Sequence, residues 1–231
     1  MKYTRQDILN QCQKAIANIN TFYRNDIINY RGKTSDTNEY YTEVISQFVC
    51  ENILEFKTKI PIITRQASYK TDTHTGHFSE KSNRAEEIIA MNLFNQCKSG
   101  AVFDFIGDII DYQIPLKSVK ADVAGKIDLF SYDGKTARIL ELKKADSTET
   151  MLRCVLEGYT YMKTADTKKL LFDFELPDDT EIKANPFVFK DSMQYKEMFK
   201  QRKWLRQLMK TLDSKAYYIV KKNGKYFVTE E

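Results

Sequence analysis

No stretch of this 231-residue chain stays apolar for the ~20 residues that a membrane-spanning helix needs. Its first residues, MKYTRQDILNQ, also lack the apolar region of a secretory signal, so a cytoplasmic protein with no membrane partner is expected. Cysteine is sparse and scattered. Cys12, Cys50, Cys97 and Cys154 show no Cys-x-x-Cys spacing, which argues against a zinc site and for reduced, mostly core thiols. Repeats, low-complexity segments and a convincing linker are missing too. The net charge of +4 is only mildly basic, compatible with nucleic acid without being diagnostic of it. The two histidines, His74 and His77, have no Cys or carboxylate at ligand spacing; a solvated loop is expected there rather than a metal pair.

What is present is a composition of 42% hydrophobic and 29% charged residues, that of a soluble globular protein long enough for a real core. Helical spacing of Ile8, Cys12, Ile16, Ile19 and Phe22 predicts a helix over 4–24, started by Thr4 and Asp7. A second helix is expected over 35–57, with Val44, Ile45, Phe48 and Val49 on its apolar face. Residues 65–83 are polar and turn-rich, an exposed loop able to fold over a site. A helix over 83–97 follows, ended by Gly100, then a strand over 109–116. Further on, a helix from near Ser147, a buried strand over 169–174, a short strand over 187–189, a long helix over 192–212 and a hairpin around Asn223-Gly224 are expected.

The chemistry concentrates between residues 125 and 161. Two β-rich runs, 126–132 and 136–143, flank Asp133-Gly134, a dipeptide suited to a tight hairpin turn. With those two residues as the turn, Tyr132 pairs with Lys135 and Asp128 lies across from Ile139. Side chains alternate, so Glu141 and Lys143 share the face of Asp128, and the two carboxylates are diagonal neighbours about 7 Å apart at the backbone. Converging carboxylate oxygens suit Mg2+ or Mn2+, and a lysine one pleat along suits a water being activated. The same Glu-x-Lys spacing recurs at Glu55-Phe56-Lys57, in a helical pattern, and at Glu181-Ile182-Lys183, in a loop opened by Pro177-Asp178-Asp179. Neither of those has a paired strand presenting an Asp.

Three other groups bear on this site. Glu86 falls near the centre of the apolar arc of the 83–97 helix, with Glu87 at its edge; it either serves a site or closes a capping box with Asn83. Glu149, Arg153, Glu157 and Thr160 or Tyr161 form one polar stripe, either a surface ion-pair row or a device for positioning water or phosphate. In the 192–212 helix, Lys196, Lys200, Lys203 and Lys210 line one side with Arg206 nearby, a solvated face or a track for a phosphate backbone.

Asp128, then Glu141-Leu142-Lys143 a dozen residues later, resembles the signature of the PD-(D/E)xK nuclease superfamily, over roughly residues 80–175. Ile127 stands where many members have Pro, and Glu157 stands where the exonuclease branch has the Gln of its Gln-x-x-x-Tyr motif. The resemblance implies an α/β, restriction-endonuclease-like core with a mixed central β-sheet flanked by helices (79–190). To this core the chain adds a helical N-terminal extension and loop (1–78) and a C-terminal helix and hairpin (191–231), within one domain. It implies Mg2+ or Mn2+ held by Asp128, Glu141, the Leu142 carbonyl and Glu86, with Lys143, its pKa lowered, orienting or deprotonating water, and with Glu157 and Tyr161 at the family's helix positions. The substrate it implies is nucleic acid, DNA first; beyond the resemblance, Lys196, Lys200, Lys203 and Arg206 are the expected contacts to it, and a homodimer is permitted. The alternative is a catalytically inactive module of the same fold that binds nucleic acid or a protein.

Overall fold

The computed structural model describes residues 2–71, 74 and 84–230. The first helix, α1 (Arg5–Ala15), starts where expected because Thr4 and Asp7 cap each other: the Thr4 hydroxyl accepts the Asp7 amide at 3.1 Å and the Asp7 carboxylate accepts the Thr4 amide at 2.9 Å. Its expected continuation tightens into a 3-10 helix (Ile16–Arg24) kinked at Asn18. The second predicted helix is two, α2 (Tyr41–Glu51) and α3 (Ile53–Thr58). Asp36 is held outside by the Arg5 amide at 2.9 Å, and Asn52 folds its amide back onto the Phe48 carbonyl at 2.8 Å.

The polar stretch that follows is not wholly an exposed loop. Tyr69 is fully buried, and its amide donates to Asp173 at 2.7 Å. Nor is His74 solvated: its Nδ1 lies 2.6 Å from the buried Asp111 carboxylate and its ring stacks on Tyr112 at 4.4 Å. His77 and Asn83 lie outside the described residues.

Next come α4 (Ala85–Lys98), β1 (Asp108–Pro115), β2 (Lys126–Tyr132), β3 (Thr136–Lys143) and α5 (Met151–Thr164). Residues 169–174 are not a strand but lie in α6 (Thr167–Asp173). An Asp166 cap, a Lys169–Asp173 pair at 3.0 Å and the burial of Leu170 and Leu171 beside an exposed Phe172 all follow helical spacing. The strand of the core is instead β4 (Glu181–Phe189), so Glu181-Ile182-Lys183 sits on a strand and not in a loop. The long C-terminal helix is also broken, into α7 (Met193–Met198) and α8 (Lys203–Thr211). Glu43 of α2 explains the restart: its carboxylate accepts the Trp204 and Leu205 amides at 2.8 and 3.0 Å and so caps α8 from outside. The hairpin of β5 (Tyr217–Lys222) and β6 (Lys225–Thr229) turns through Asn223 and Gly224, both at positive φ, as its sequence requires.

The six strands form one mixed sheet in sequence order, antiparallel from β1 to β3, parallel from β3 through β4 to β5, and antiparallel at β6. Every residue of β3 is buried, because both sheet faces are covered. On one face Phe130, Ile139 and Val188 pack with Cys154 and Val155 of α5 and with Ile8 and Val44 of the N-terminal helices. On the other, Leu129, Leu140, Leu142 and Phe187 pack with Leu93 and Phe94 of α4. This makes an α/β protein of eight α-helices and six strands among the described residues, none of these helices being long and apolar enough to cross a membrane.

Candidate active site

The β2–β3 turn is wider than a two-residue hairpin. Asp133 accepts the Lys135 and Thr136 amides, so Tyr132 pairs with Ala137 and not with Lys135. The register therefore moves by two residues, and parity keeps Asp128 on the face of Glu141 and Lys143. Regular pairing ends at Leu129–Leu140, one step short of Asp128. There the Asp128 carboxylate replaces the missing ladder, accepting the Leu142 amide at 3.0 Å and the Gln113 side-chain amide at 3.1 Å. Burial pushes the Asp128 carboxyl up to about 7, despite the nearby Lys143 charge.

Glu141, Lys143 and Glu157 form a dense buried cluster. Lys143 Nζ lies 2.7 Å from Glu141 Oε1, 2.9 Å from Glu149 Oε2 and 3.1 Å from Glu157 Oε2. Glu157 also takes the Arg153 guanidinium at 3.1 Å and the Tyr161 hydroxyl at 2.9 Å. Burial and the Glu157 charge raise the Glu141 carboxyl well above its usual range. Burial acts on Glu157 in the same direction, but Lys143 and Arg153 outweigh it and hold that carboxyl at about 2. For Lys143, burial alone would favour the neutral amine, as the sequence reading expected; Glu141 and Glu157 overcome it and raise its pKa instead. The carboxylates thus favour the ammonium form of Lys143 over a neutral base.

The 149–161 stripe is accordingly a buried network and not a surface ion-pair row, with Glu157 only 7% exposed. The N-terminal extension completes it. Arg153 donates to the Tyr23 carbonyl at 2.6 Å, and the Tyr23 and Tyr161 hydroxyls meet at 3.4 Å. Sequence reasoning missed Tyr23, which carries no local signal. It missed Gln113 as well, a polar side chain between the apolar Tyr112 and Ile114.

On the opposite side, half-buried Glu86 of α4 accepts the Lys144 amide at 3.1 Å, binding α4 to the end of β3. Glu86 and Lys144 border two cavities. One of about 340 Å³ also contains Gln113 and Asp128, and one of about 350 Å³ contains Lys143, Arg153 and Glu157. Among the described residues no three His, Cys, Asp or Glu side chains already converge on one point. Glu86, Asp128 and Glu141 each carry a carboxylate, the donor type a hard cation takes, and Glu141 Oε2 is buried without a hydrogen-bond partner. Lys196, Lys200, Lys203 and Arg206 are exposed but divided between α7, the α7–α8 connection and α8, so no single helix carries them as a stripe.

Compared with protein-family models, with curated proteins and with solved structures, the chain gives no match.

Proposed function

We propose that this chain is a divalent-metal-dependent nuclease of the PD-(D/E)xK type, hydrolysing phosphodiester bonds of nucleic acid, DNA first. The observation that carries the reading is Asp128 of β2, just past the last regular β2–β3 pair and facing Glu141-Leu142-Lys143 on the next strand, within a chain order of α4, three strands, α5, α6 and a strand. Apart from α6, that order is the one expected of a restriction-endonuclease-like core.

Asp128, Glu141 and Glu86 would hold Mg2+ or Mn2+, with the Leu142 carbonyl as a further ligand; the ion would polarise the phosphodiester and stabilise charge on the leaving oxygen. The protein's own groups do the rest. Lys143, whose charge Glu141 and Glu157 favour, orients an attacking water and offsets negative charge at the phosphate. Glu157, low in pKa and held by Arg153 and Tyr161, fixes the ammonium in place, so that Glu157 and Tyr161 are positioning residues.

Purified protein should cleave at least one of single-stranded DNA, duplex DNA, branched DNA and RNA with Mg2+ or Mn2+, and EDTA should stop it. Failure on all four with either ion would hand the site to the non-catalytic alternative. The bond that ties Glu141 Oε1 to Lys143 at 2.7 Å favours that second reading.

A further inference from the structure

A third cavity lies away from the acidic cluster, where the N-terminal extension meets the α7–α8 connection. Tyr30, Arg31, Tyr40, Glu197, Lys200 and Arg202 line it, and its volume of about 160 Å³ far exceeds the ~15 Å³ that one water requires. Arg202 is its unusual member. The side chain is 95% buried, being 5% exposed, and its Nε and Nη1 make no hydrogen bond. A buried guanidinium normally has its donors satisfied, and leaving them open is costly.

The local contacts position that guanidinium without using it up. Its Cζ lies over the Tyr40 ring, 3.4 Å from the centroid, and its Nε stands 3.5 Å from Glu197 Oε1. Glu197 is committed elsewhere. One oxygen accepts the Thr42 hydroxyl at 3.1 Å and the other accepts the Met151 amide at 3.0 Å. The start of α5 is equally occupied, since the Thr150 and Arg153 amides donate to Asn29 and to the Thr150 hydroxyl. What the cavity offers an incoming group is therefore the positive charge of Arg202, Arg31 and Lys200.

We infer that this cavity is a binding site for a phosphate monoester. A guanidinium beside two further cations around one small cavity suits an oxyanion. Three cations against the single Glu197 carboxylate leave a surplus that suits a dianion better than a carboxylate. The cavity's size admits a phosphoryl group and little beyond it. The phosphate could belong to a free mononucleotide or to the end of a nucleic-acid strand, and the site does not depend on the metal chemistry proposed above.

The test is calorimetric titration of the full chain in EDTA, so that failure of the nuclease reading leaves the result intact. The probes are inorganic phosphate, adenosine monophosphate against adenosine, a 5′-phosphorylated oligonucleotide against its 5′-hydroxyl counterpart, and acetate. Saturable binding of a phosphate-bearing probe, absent for its unphosphorylated partner, is expected. Arg202→Gln should weaken it about tenfold or more, the worth of a charge-assisted hydrogen bond. Because Arg202 is packed on Tyr40, the exposed pair Arg31→Gln and Lys200→Gln gives an independent reading in a chain sure to fold, and it should weaken binding in the same direction. Selective binding of the mononucleotide identifies a free phosphate as the source, and selective binding of the phosphorylated strand identifies a strand end. No binding of any phosphate probe at millimolar concentration, tighter binding of acetate, or affinity unchanged by both sets of variants overturns the proposal.

Discussion

Gly158 of α5 passes so close to Glu141 of β3 that a methyl group on it would stand 3.3 Å from the Glu141 Cβ. Glycine inside a helix costs about 1 kcal/mol relative to alanine, and here the cost accompanies a close approach of helix to strand. Gly158→Ala should therefore fail to gain that increment, because β3 is buried along its length and Glu141 has nowhere to retreat. Its melting temperature should stay near wild type while metal affinity or turnover falls. Gly158→Val should lose about 1–3 kcal/mol by overpacking. A Gly158→Ala variant that is stabilised by the full amount and keeps wild-type activity would show that the contact constrains nothing.

The Lys143 cluster predicts a rescue. Removing the ammonium leaves Glu141, Glu149 and Glu157 without their shared partner, so Lys143→Met should lose about 3–5 kcal/mol, the usual cost of an orphaned buried charge. Adding Glu157→Gln neutralises the carboxyl that Lys143 and Arg153 hold low and should restore part of the loss, a coupling of about 0.5–3 kcal/mol in urea unfolding. Strict additivity would mean that the two groups do not interact. Because the lysine pKa is raised, the pH–rate profile should also show no limb between neutrality and pH 10 that Lys143→Arg removes.

The site was legible in the sequence to the extent that it depended on parity. Misplacing the turn of the hairpin by two residues cost nothing, because Asp128, Glu141 and Lys143 stay on one face under any even shift. Local capping was readable too, as Thr4 with Asp7 and Asn223-Gly224 illustrate. Short apolar runs were not, since Leu170 and Leu171 suit a buried strand or a helix equally until Asp166 and the Lys169–Asp173 pair decide. Nor were contacts from distant chain. Glu43 capping α8, Tyr23 holding Arg153 and Asp111 binding His74 join residues whose separation in sequence leaves no pattern.

The basic residues of the C-terminal segment yield a prediction that separates grip from chemistry. Lys196 and Lys203 are exposed on different helices, and Lys203 rests over the Trp204 ring at 5.1 Å. If both meet a phosphate backbone, reversing them to Glu should flatten the plot of log affinity against log salt by about one unit of slope per lost contact. Fold and metal binding should not change. An unaltered slope would remove these two residues from the nucleic-acid surface and leave them a solvated face.

Asp128 ties stability, metal and pH together. Its carboxyl is raised to about 7 in the folded protein, against about 3.9 in an unfolded chain. The sign follows from proton counts. Between those two values the folded state keeps a proton that the unfolded state has released, so this group's contribution to stability is complete below pH ~4 and is lost as pH rises through ~7. In EDTA, the urea midpoint of wild type should therefore fall relative to Asp128→Asn across that window. A bound divalent ion reverses the preference, because it needs the carboxylate. Its affinity should rise at least about tenfold per pH unit below 7, with proton release, and flatten above. Asp128→Asn and Glu141→Gln should each abolish binding seen by calorimetry, and the double variant should add almost nothing, as expected when two oxygens hold one ion. Metal affinity independent of pH between 5 and 7, or retained in both single variants, would mean that Asp128 and Glu141 do not share a cation and that the raised Asp128 only stitches β2 to the Leu142 amide.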